Sequence, residues 1–208
     1  MSVVRDLPVV VVLAAGRGER FEGEGHKLAQ SLGSSSVLAT TLEQVVAAGL
    51  PLVVVTTAGL VPLAQRVVAA RDIVLLPPVG TQTQEPLGMG YSIATGVSAR
   101  PHATGWLVLP GDMPLLRPET LRRVARALSH QPVVYAQHRG QRGHPVGFSA
   151  ELYTELVTLA GDAGARRLVA RYPAHAVEVD DPGVLLDVDT QADLLTARAA
   201  QAELTNGV

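Results

Sequence analysis

The run Val9-Val10-Val11-Val12-Leu13, which ends in Ala14-Ala15-Gly16, leaves a chain of this kind few choices. β-Branched residues at nearly every position suit a strand covered on both faces, as in the middle of a parallel sheet. A glycine- and charge-rich loop follows directly. The rest of the chain alternates in the same way. Ser34 to Ser36 can cap a helix whose apolar positions Val37, Leu38, Leu42, Val45 and Val46 form one stripe, and Gly49 stops it. Further strands are expected at Leu52 to Thr56, Ile73 to Leu76, Trp106 to Leu109, Val133 to Ala136 and His175 to Val179, with a last short one at Leu185 to Asp189. Helices are expected at Leu60 to Ala70, Tyr91 to Ala99, Glu119 to Leu128, Glu151 to Leu159, Arg166 to Tyr172 and over the Ala- and Leu-rich end of the chain. Such alternation gives a mostly parallel sheet with helices on both faces and a ligand crevice beyond the carboxyl ends of the strands. The residues that matter are those just after each strand.

Composition narrows the function. The chain has 208 residues, of which 47% are hydrophobic and 17% charged, enough to fill one core and make one domain over residues 1–208. A net charge of -2 argues against nucleic acid or an anionic membrane as the main partner and leaves small molecules. There is no cysteine, so disulfides, thiolate metal sites and cysteine nucleophiles are excluded, which fits a cytoplasmic protein. The longest apolar run, Val9 to Ala15, falls far short of the roughly 20 residues that a membrane helix needs.

After the first strand comes Leu13-Ala14-Ala15-Gly16-Arg17-Gly18-Glu19-Arg20-Phe21, with Lys27 shortly beyond. Small residues admit a nucleotide close to the backbone, and loop amides with Arg17, Arg20 and Lys27 can neutralise a polyphosphate. The bland alternative is a surface turn with solvated charges. The dinucleotide fingerprint fails, because Phe21 stands where the third glycine belongs and the second strand ends in Thr56-Thr57 rather than an acid. The P-loop pattern is absent as well. Asp112, in Leu109-Pro110-Gly111-Asp112-Met113-Pro114, brings a carboxylate to the same edge on a turn stiffened by prolines. Magnesium takes one or two carboxylates plus phosphate oxygens, so Asp112 needs one helper. Asp187 and Asp189 lie two apart and in extended backbone face the same way, although Asp189 or Thr190 could equally cap the last helix. Gly88-Met89-Gly90-Tyr91-Ser92 opens a helix and offers amides and a hydroxyl to a phosphate or ribose, or forms a plain turn. Gly143-His144-Pro145-Val146 and Gly161-Asp162-Ala163-Gly164-Ala165-Arg166 could hold an anionic second substrate. The other histidines, His26 among them, show no metal-ligand spacing.

Together these stretches resemble the nucleotidyltransferases of molybdenum cofactor biosynthesis, and within them the molybdenum cofactor cytidylyltransferase branch. The family's L-A-A-G-x-x-x-R-[MF]-G-x-x-K opening is matched by Leu13 to Phe21 plus Lys27. Its G-M-G-x-S is matched by Gly88 to Ser92 and its G-D-M-P by Gly111 to Pro114. Its G-H-P-V, G-D-x-G-A-R and D-x-D-T stretches are matched by Gly143 to Val146, Gly161 to Arg166 and Asp187 to Thr190. Two departures stand out. Five residues, Glu22 to His26, separate Phe21 from Lys27 where the family has about three, and the final stretch lacks the family's proline.

The resemblance implies a three-layer, Rossmann-like α/β sandwich with a mostly parallel sheet, of the nucleotide-diphospho-sugar transferase type. It implies that the phosphate of molybdopterin attacks the α-phosphate of a nucleoside triphosphate with Mg2+, and a client molybdoenzyme is a candidate partner on which such a transferase could dock. Ala15, where guanylyl relatives carry a second glycine, points to CTP over GTP. On this reading Arg17, Lys27 and Asp112 are catalytic, and Asp112, Asp187 and Asp189 hold the metal. Leu13, Ala14, Ala15, Gly16, Arg17, Gly18, Arg20, Lys27, Gly88, Gly90, Ser92 and Gly111 bind the nucleotide. His144, Pro145, Asp162 and Arg166 meet the second substrate. The alternatives are a guanylyl- or sugar-phosphate nucleotidyltransferase, a nicotinamide- or flavin-dependent reductase on the same kind of sheet, and a non-catalytic carrier of the finished cofactor.

Overall fold

The computed structural model describes residues 7–77, 88–161 and 164–206. The expected central strand is present as β1 (Val9–Ala14), buried almost throughout. A two-residue hairpin, β2 (Ser31–Leu32) and β3 (Ser35–Ser36), leads into α1 (Val37–Ala47). The Ser36 hydroxyl accepts from the Ala39 amide at 3.2 Å, the predicted cap. Then come β4 (Leu52–Thr56), α2 (Val61–Ala64), β5 (Ile73–Leu75), α3 (Gly88–Ser98), β6 (Gly105–Pro110) and α4 (Pro118–Ala127). The chain ends with β7 (Val133–His138), β8 (Gln141–Ser149), α5 (Tyr153–Val157), α6 (Arg166–Arg171), β9 (Ala174–Glu178) and α7 (Gln191–Asn206).

Among the described residues, seven strands make one sheet in the order β5-β4-β1-β6-β8-β7-β9. All pairings are parallel except those of β8 with β6 and with β7, so β8 alone runs against its neighbours. The two-residue period of the central strands divides the core. Val10, Val12, Ala14, Leu107 and Leu109 pack beneath α1, α4 and α7 on one face, while Val9, Val11, Trp106 and Val108 pack beneath α3, α5 and α6 on the other. This is the mostly parallel three-layer α/β sandwich that was expected.

Two expectations fail, and one strand goes unforeseen. Leu60 to Ala70 is helical only over α2, flanked by 3-10 turns at Ala58–Leu60 and Ala70–Asp72. Leu185 to Asp189 is not a strand: Pro182–Leu185 forms a 3-10 turn, and Leu186 to Asp189 has no regular structure and does not join the sheet. It crosses the carboxyl edge and is tied by the Val188 amide, which donates to the Asp112 carbonyl at 2.9 Å. The stretch beginning at Gln141, in contrast, is itself a strand of nine residues. Pro145 conceals it, since proline lacks a ladder donor. The β7–β8 register steps from Tyr135↔Val146 to Gln137↔Arg142, so Pro145 falls in a bulge where no donor is required.

Candidate active site

A parallel sheet brings the ends of β1 and β6 together, and the Gly111 amide joins them by donating to the Leu13 carbonyl at 2.9 Å. A Cβ on Gly111 would lie 3.0 Å from that same oxygen, so the turn into Asp112 is tight. The glycine loop leaves β1 beside it. Gly18 has φ +66, a left-handed conformation that favours glycine, and Phe21 closes the loop with its amide on the Gly18 carbonyl at 3.0 Å while its ring drops into the core. Gly16, Arg17 and Arg20 are exposed on the loop's outer side. Arg17 pairs with Glu19 at 3.2 Å, an exposed contact of little energetic weight.

Lys27 turns inward. Its Nζ stands 2.5 Å from Asp112 Oδ2 and 2.5 Å from Asp189 Oδ1, with all three side chains about seven-eighths buried. Arg20 reaches across to the other Asp189 oxygen at 2.6 Å. Asp187 joins the group: ligand atoms of Asp112, Asp187 and Asp189 all lie within 4.8 Å of one another. Asp187 and Asp189 thus both reach the group, although the segment that carries them is not a strand. Partial burial works against the Lys27 ammonium, but Asp112 and Asp189 outweigh it and raise its pKa above the usual lysine range. Burial, followed by the charge of Asp189, pushes the Asp187 carboxyl up. Burial also opposes the Asp189 charge, yet Lys27, Asp187 and Arg20 prevail and hold it below the usual range. Thr190, not Asp189, caps α7. Its hydroxyl accepts from the Asp193 amide at 3.2 Å, and Asp193 Oδ2 accepts from the Thr190 amide at 2.7 Å. Capping and site therefore use different residues.

A divalent cation fits this group. Three carboxylates converge, and Asp112 Oδ1 is buried without a hydrogen-bond partner among the described residues, an acceptor left for a ligand.

His144 also faces this edge, from β8. Burial pushes its imidazole below the usual histidine range, against the pull of the Asp112 charge, and its buried Nδ1 has no partner among the described residues. Gly88 and Gly90 have a packing reason. A Cβ on Gly88 would fall 2.3 Å from the Gly161 carbonyl carbon, and the Gly90 amide donates to the Gly161 carbonyl at 2.9 Å. That amide is spent on the backbone rather than on a phosphate. Gly164 approaches Met89 Sδ at 3.4 Å from its would-be Cβ, so the two glycine stretches form a second group at the start of α3, with Ser92 and the exposed Arg166 beside it. Asp162 lies outside the described residues.

Sequence reasoning passed over His26. Its Nε2 donates to the Gly16 carbonyl at 2.9 Å and its Nδ1 accepts from the Leu28 amide at 3.1 Å, so it straps the glycine loop to the turn that carries Lys27. Its place directly before the lysine was the only signal.

A MobA-like NTP transferase domain is matched over residues 10–177. The chain belongs to that family. It is a nucleotidyltransferase, and enzymes of this family use divalent metals. Among curated relatives, the bifunctional protein GlmU of Corynebacterium aurimucosum is 34% identical over 206 residues, which take in 93% of this chain and 41% of that protein. This nucleotidyltransferase spans less than half the length of the curated relatives it matches. A nucleotidyl transferase from Methanothermobacter thermautotroptrophicus superposes with a TM-score of 0.80 at 26% identity, over 96% of this chain and 99% of that one. Rv0371c from Mycobacterium tuberculosis H37Rv gives 0.78 at 28% identity, over 93% and 97%, and its complex with manganese gives 0.75. Among the described residues, no helix of this nucleotidyltransferase is long and apolar enough to cross a membrane.

Proposed function

We propose that this nucleotidyltransferase moves a CMP group from CTP to the terminal phosphate of molybdopterin carrying molybdenum, with Mg2+, in the cytoplasm. The meeting of Lys27 with Asp112 and Asp189 under the glycine loop carries the reading. A cation and a carboxylate pair at the carboxyl edge suit phosphoryl chemistry, in which charge must be positioned and neutralised. The six ordered motifs support molybdopterin as acceptor, and Ala15 in the first turn supports CTP. The manganese complex of Rv0371c supports a divalent metal at the acidic group.

An oxygen of the acceptor phosphate forms a bond to the α-phosphorus while the bond from that phosphorus to the bridging oxygen breaks, and pyrophosphate leaves with the electron pair. The acceptor's second pKa is about 6, so it is largely ionised at neutral pH and needs no general base. Asp112 and Asp189, with Asp187 beside them, would hold Mg2+, which would supply charge neutralisation for the phosphates when bound. Lys27, Arg17 and Arg20 take the β- and γ-phosphates and steady the departing pyrophosphate. The loop amides admit the nucleotide closely, and His144, Pro145, Asp162 and Arg166 meet the acceptor.

The test is a thermal-shift titration with CTP, GTP, ATP, UTP and NADH, each with and without Mg2+, because a ligand of the native state raises stability by RT ln(1 + [L]/Kd). A Mg2+-dependent rise with CTP alone, lost in Asp112→Ala, is expected. A preference for GTP would move the reading to a guanylyltransferase, and a rise with NADH but with no triphosphate would end it. Pyrophosphate release from CTP on addition of molybdopterin, and not of a sugar phosphate, then fixes the acceptor.

A further inference from the structure

Lys27 is the only lysine in the chain. Arginine supplies every other fixed side-chain cation, and the two are not interchangeable: lysine carries a compact charge with three donors on a flexible stem. Here that charge sits between Asp112 Oδ2 and Asp189 Oδ1 at 2.5 Å from each. Asp112 is only 9% exposed, and its buried Oδ1 has no hydrogen-bond partner among the described residues. Asp187 lies within ligand reach of both other carboxylates. Arg20 already holds Asp189 Oδ2 from the solvent side. Mg2+ wants oxygens at about 2.0–2.1 Å, and an ammonium already in contact with one oxygen of each of two carboxylates in the group opposes it by crowding and by like charge. The flexible stem allows the exchange. It runs past Gly18, whose would-be Cβ lies 3.2 Å from Lys27 Cγ, so the ammonium that leaves the carboxylates is delivered to the glycine loop.

We infer that the Lys27 ammonium and the divalent metal occupy the Asp112–Asp189 seat in turn, so that metal binding releases Lys27 to the triphosphate. The inference rests on the metal reading given above and adds the exchange to it. Metal binding alone then carries the cost of separating Lys27 from two carboxylates. A triphosphate receiving the released ammonium lowers that cost, so metal and nucleotide favour each other by a reciprocal factor.

The single lysine makes the exchange directly readable. Reductive methylation of the full chain, followed by peptide mass mapping, labels Lys27 and the terminal amine, with the latter as an internal clock. Adding MgCl2 without nucleotide is expected to speed Lys27 labelling relative to the terminal amine by about fivefold or more, with saturation, while NaCl at matched ionic strength does not. Separately, Mn2+ titration followed by electron paramagnetic resonance, again without nucleotide, is expected to give about tenfold tighter binding in Lys27→Met than in the wild type. The labelling arm needs no variant and stands even if Lys27→Met does not fold. Mn2+ binding with Lys27 labelling unchanged by Mg2+, or no tightening in Lys27→Met, overturns this inference alone. Failure of both proteins to bind Mn2+ overturns it together with the metal reading.

Discussion

Gly143 is where the strand carrying His144 meets the segment that leads to Asp187 and Asp189. A Cβ at this position would stand 2.2 Å from the Val184 carbonyl oxygen and 2.8 Å from the carbonyl carbon. Ordinary carbon–oxygen contact begins near 3.3 Å, so Gly143→Ala must drive this backbone back by about 1 Å. The way back is closed: a Cβ on Gly183 would meet the Leu115 carbonyl oxygen at 2.3 Å, and Asp181 clamps the turn by accepting from the Gly183 amide at 3.0 Å and the Arg117 amide at 2.9 Å. The displacement therefore passes along Leu186 to Asp189 and draws the Asp189 carboxylate away from Lys27. Overpacking costs about 1–3 kcal/mol, while replacing a strand glycine returns about 0.5–1 kcal/mol. The net loss centres on about 1 kcal/mol, a fall in Tm of a few degrees at about 2–4 °C per kcal/mol. Catalysis suffers more, because a misplacement of about 1 Å costs about 10²-fold. Thermal unfolding and pyrophosphate release, both measured well below Tm, separate the two effects. Gly59→Ala, with nothing within 4 Å of its Cβ, is the control expected to leave both alone. An alanine at position 143 with unchanged Tm and kcat/KM within threefold of wild type would refute the backbone-contact reasoning.

Three further outcomes are expected. Asp112→Asn keeps the shape of the side chain and removes its charge from Lys27 and the metal seat, so kcat/KM for pyrophosphate release should fall by about 10²–10³-fold; a loss below tenfold would take Asp112 out of the reaction. His26→Ala removes two hydrogen bonds of about 0.5–1.5 kcal/mol each, and nucleotide Kd by calorimetry should rise about three- to tenfold. Asp193→Ala should destabilise the start of α7 by about 1 kcal/mol at pH 7. The Thr190 hydrogen bond holds the Asp193 carboxyl below its usual range in the folded chain, so its stabilisation is complete above about pH 4 and fades as pH falls through the folded pKa. The Tm gap between wild type and Asp193→Ala should narrow in acid, and a gap that widens there would reverse the assignment.

The sheet was legible where hydrophobic runs are long and uninterrupted. β1, β4 and β6 are nearly all aliphatic because each is covered on both faces, and burial of that kind writes itself into composition. β8 was hidden by Arg142, His144 and Pro145, because a bulge relaxes the ladder where these residues sit, and a local pattern does not show a bulge. The Leu185 to Asp189 segment was misread for the opposite reason. Its Leu-Leu-Asp-Val-Asp alternation looks like a strand, yet Pro182 and the Asp181 cap turn the chain across the strand ends rather than along them. The Gly-Met-Gly stretch was legible as a place of close approach but not as to what approaches, which is the backbone at Ala160 and Gly161.

The site itself depended on one departure from the family pattern, the two extra residues between Phe21 and Lys27. Two residues can move a side chain by about 7 Å in extended backbone, more than enough to withdraw a lysine from its partners. The structure absorbs them outward. Phe21 is anchored in the core at one end, and His26 at the other ties back to Gly16, so Glu22 to Gly25 form an exposed excursion whose base is closed by Gln30 Nε2 donating to the Glu24 carbonyl at 2.7 Å. Gly25, with φ +76, makes the return turn. Lys27 thus enters the site from a strap that is fixed independently of the length of the loop, which is why the insertion leaves the contacts with Asp112 and Asp189 in place. The same reasoning explains why His26 escaped notice: a residue that compensates for an insertion has no counterpart in the pattern the insertion departs from.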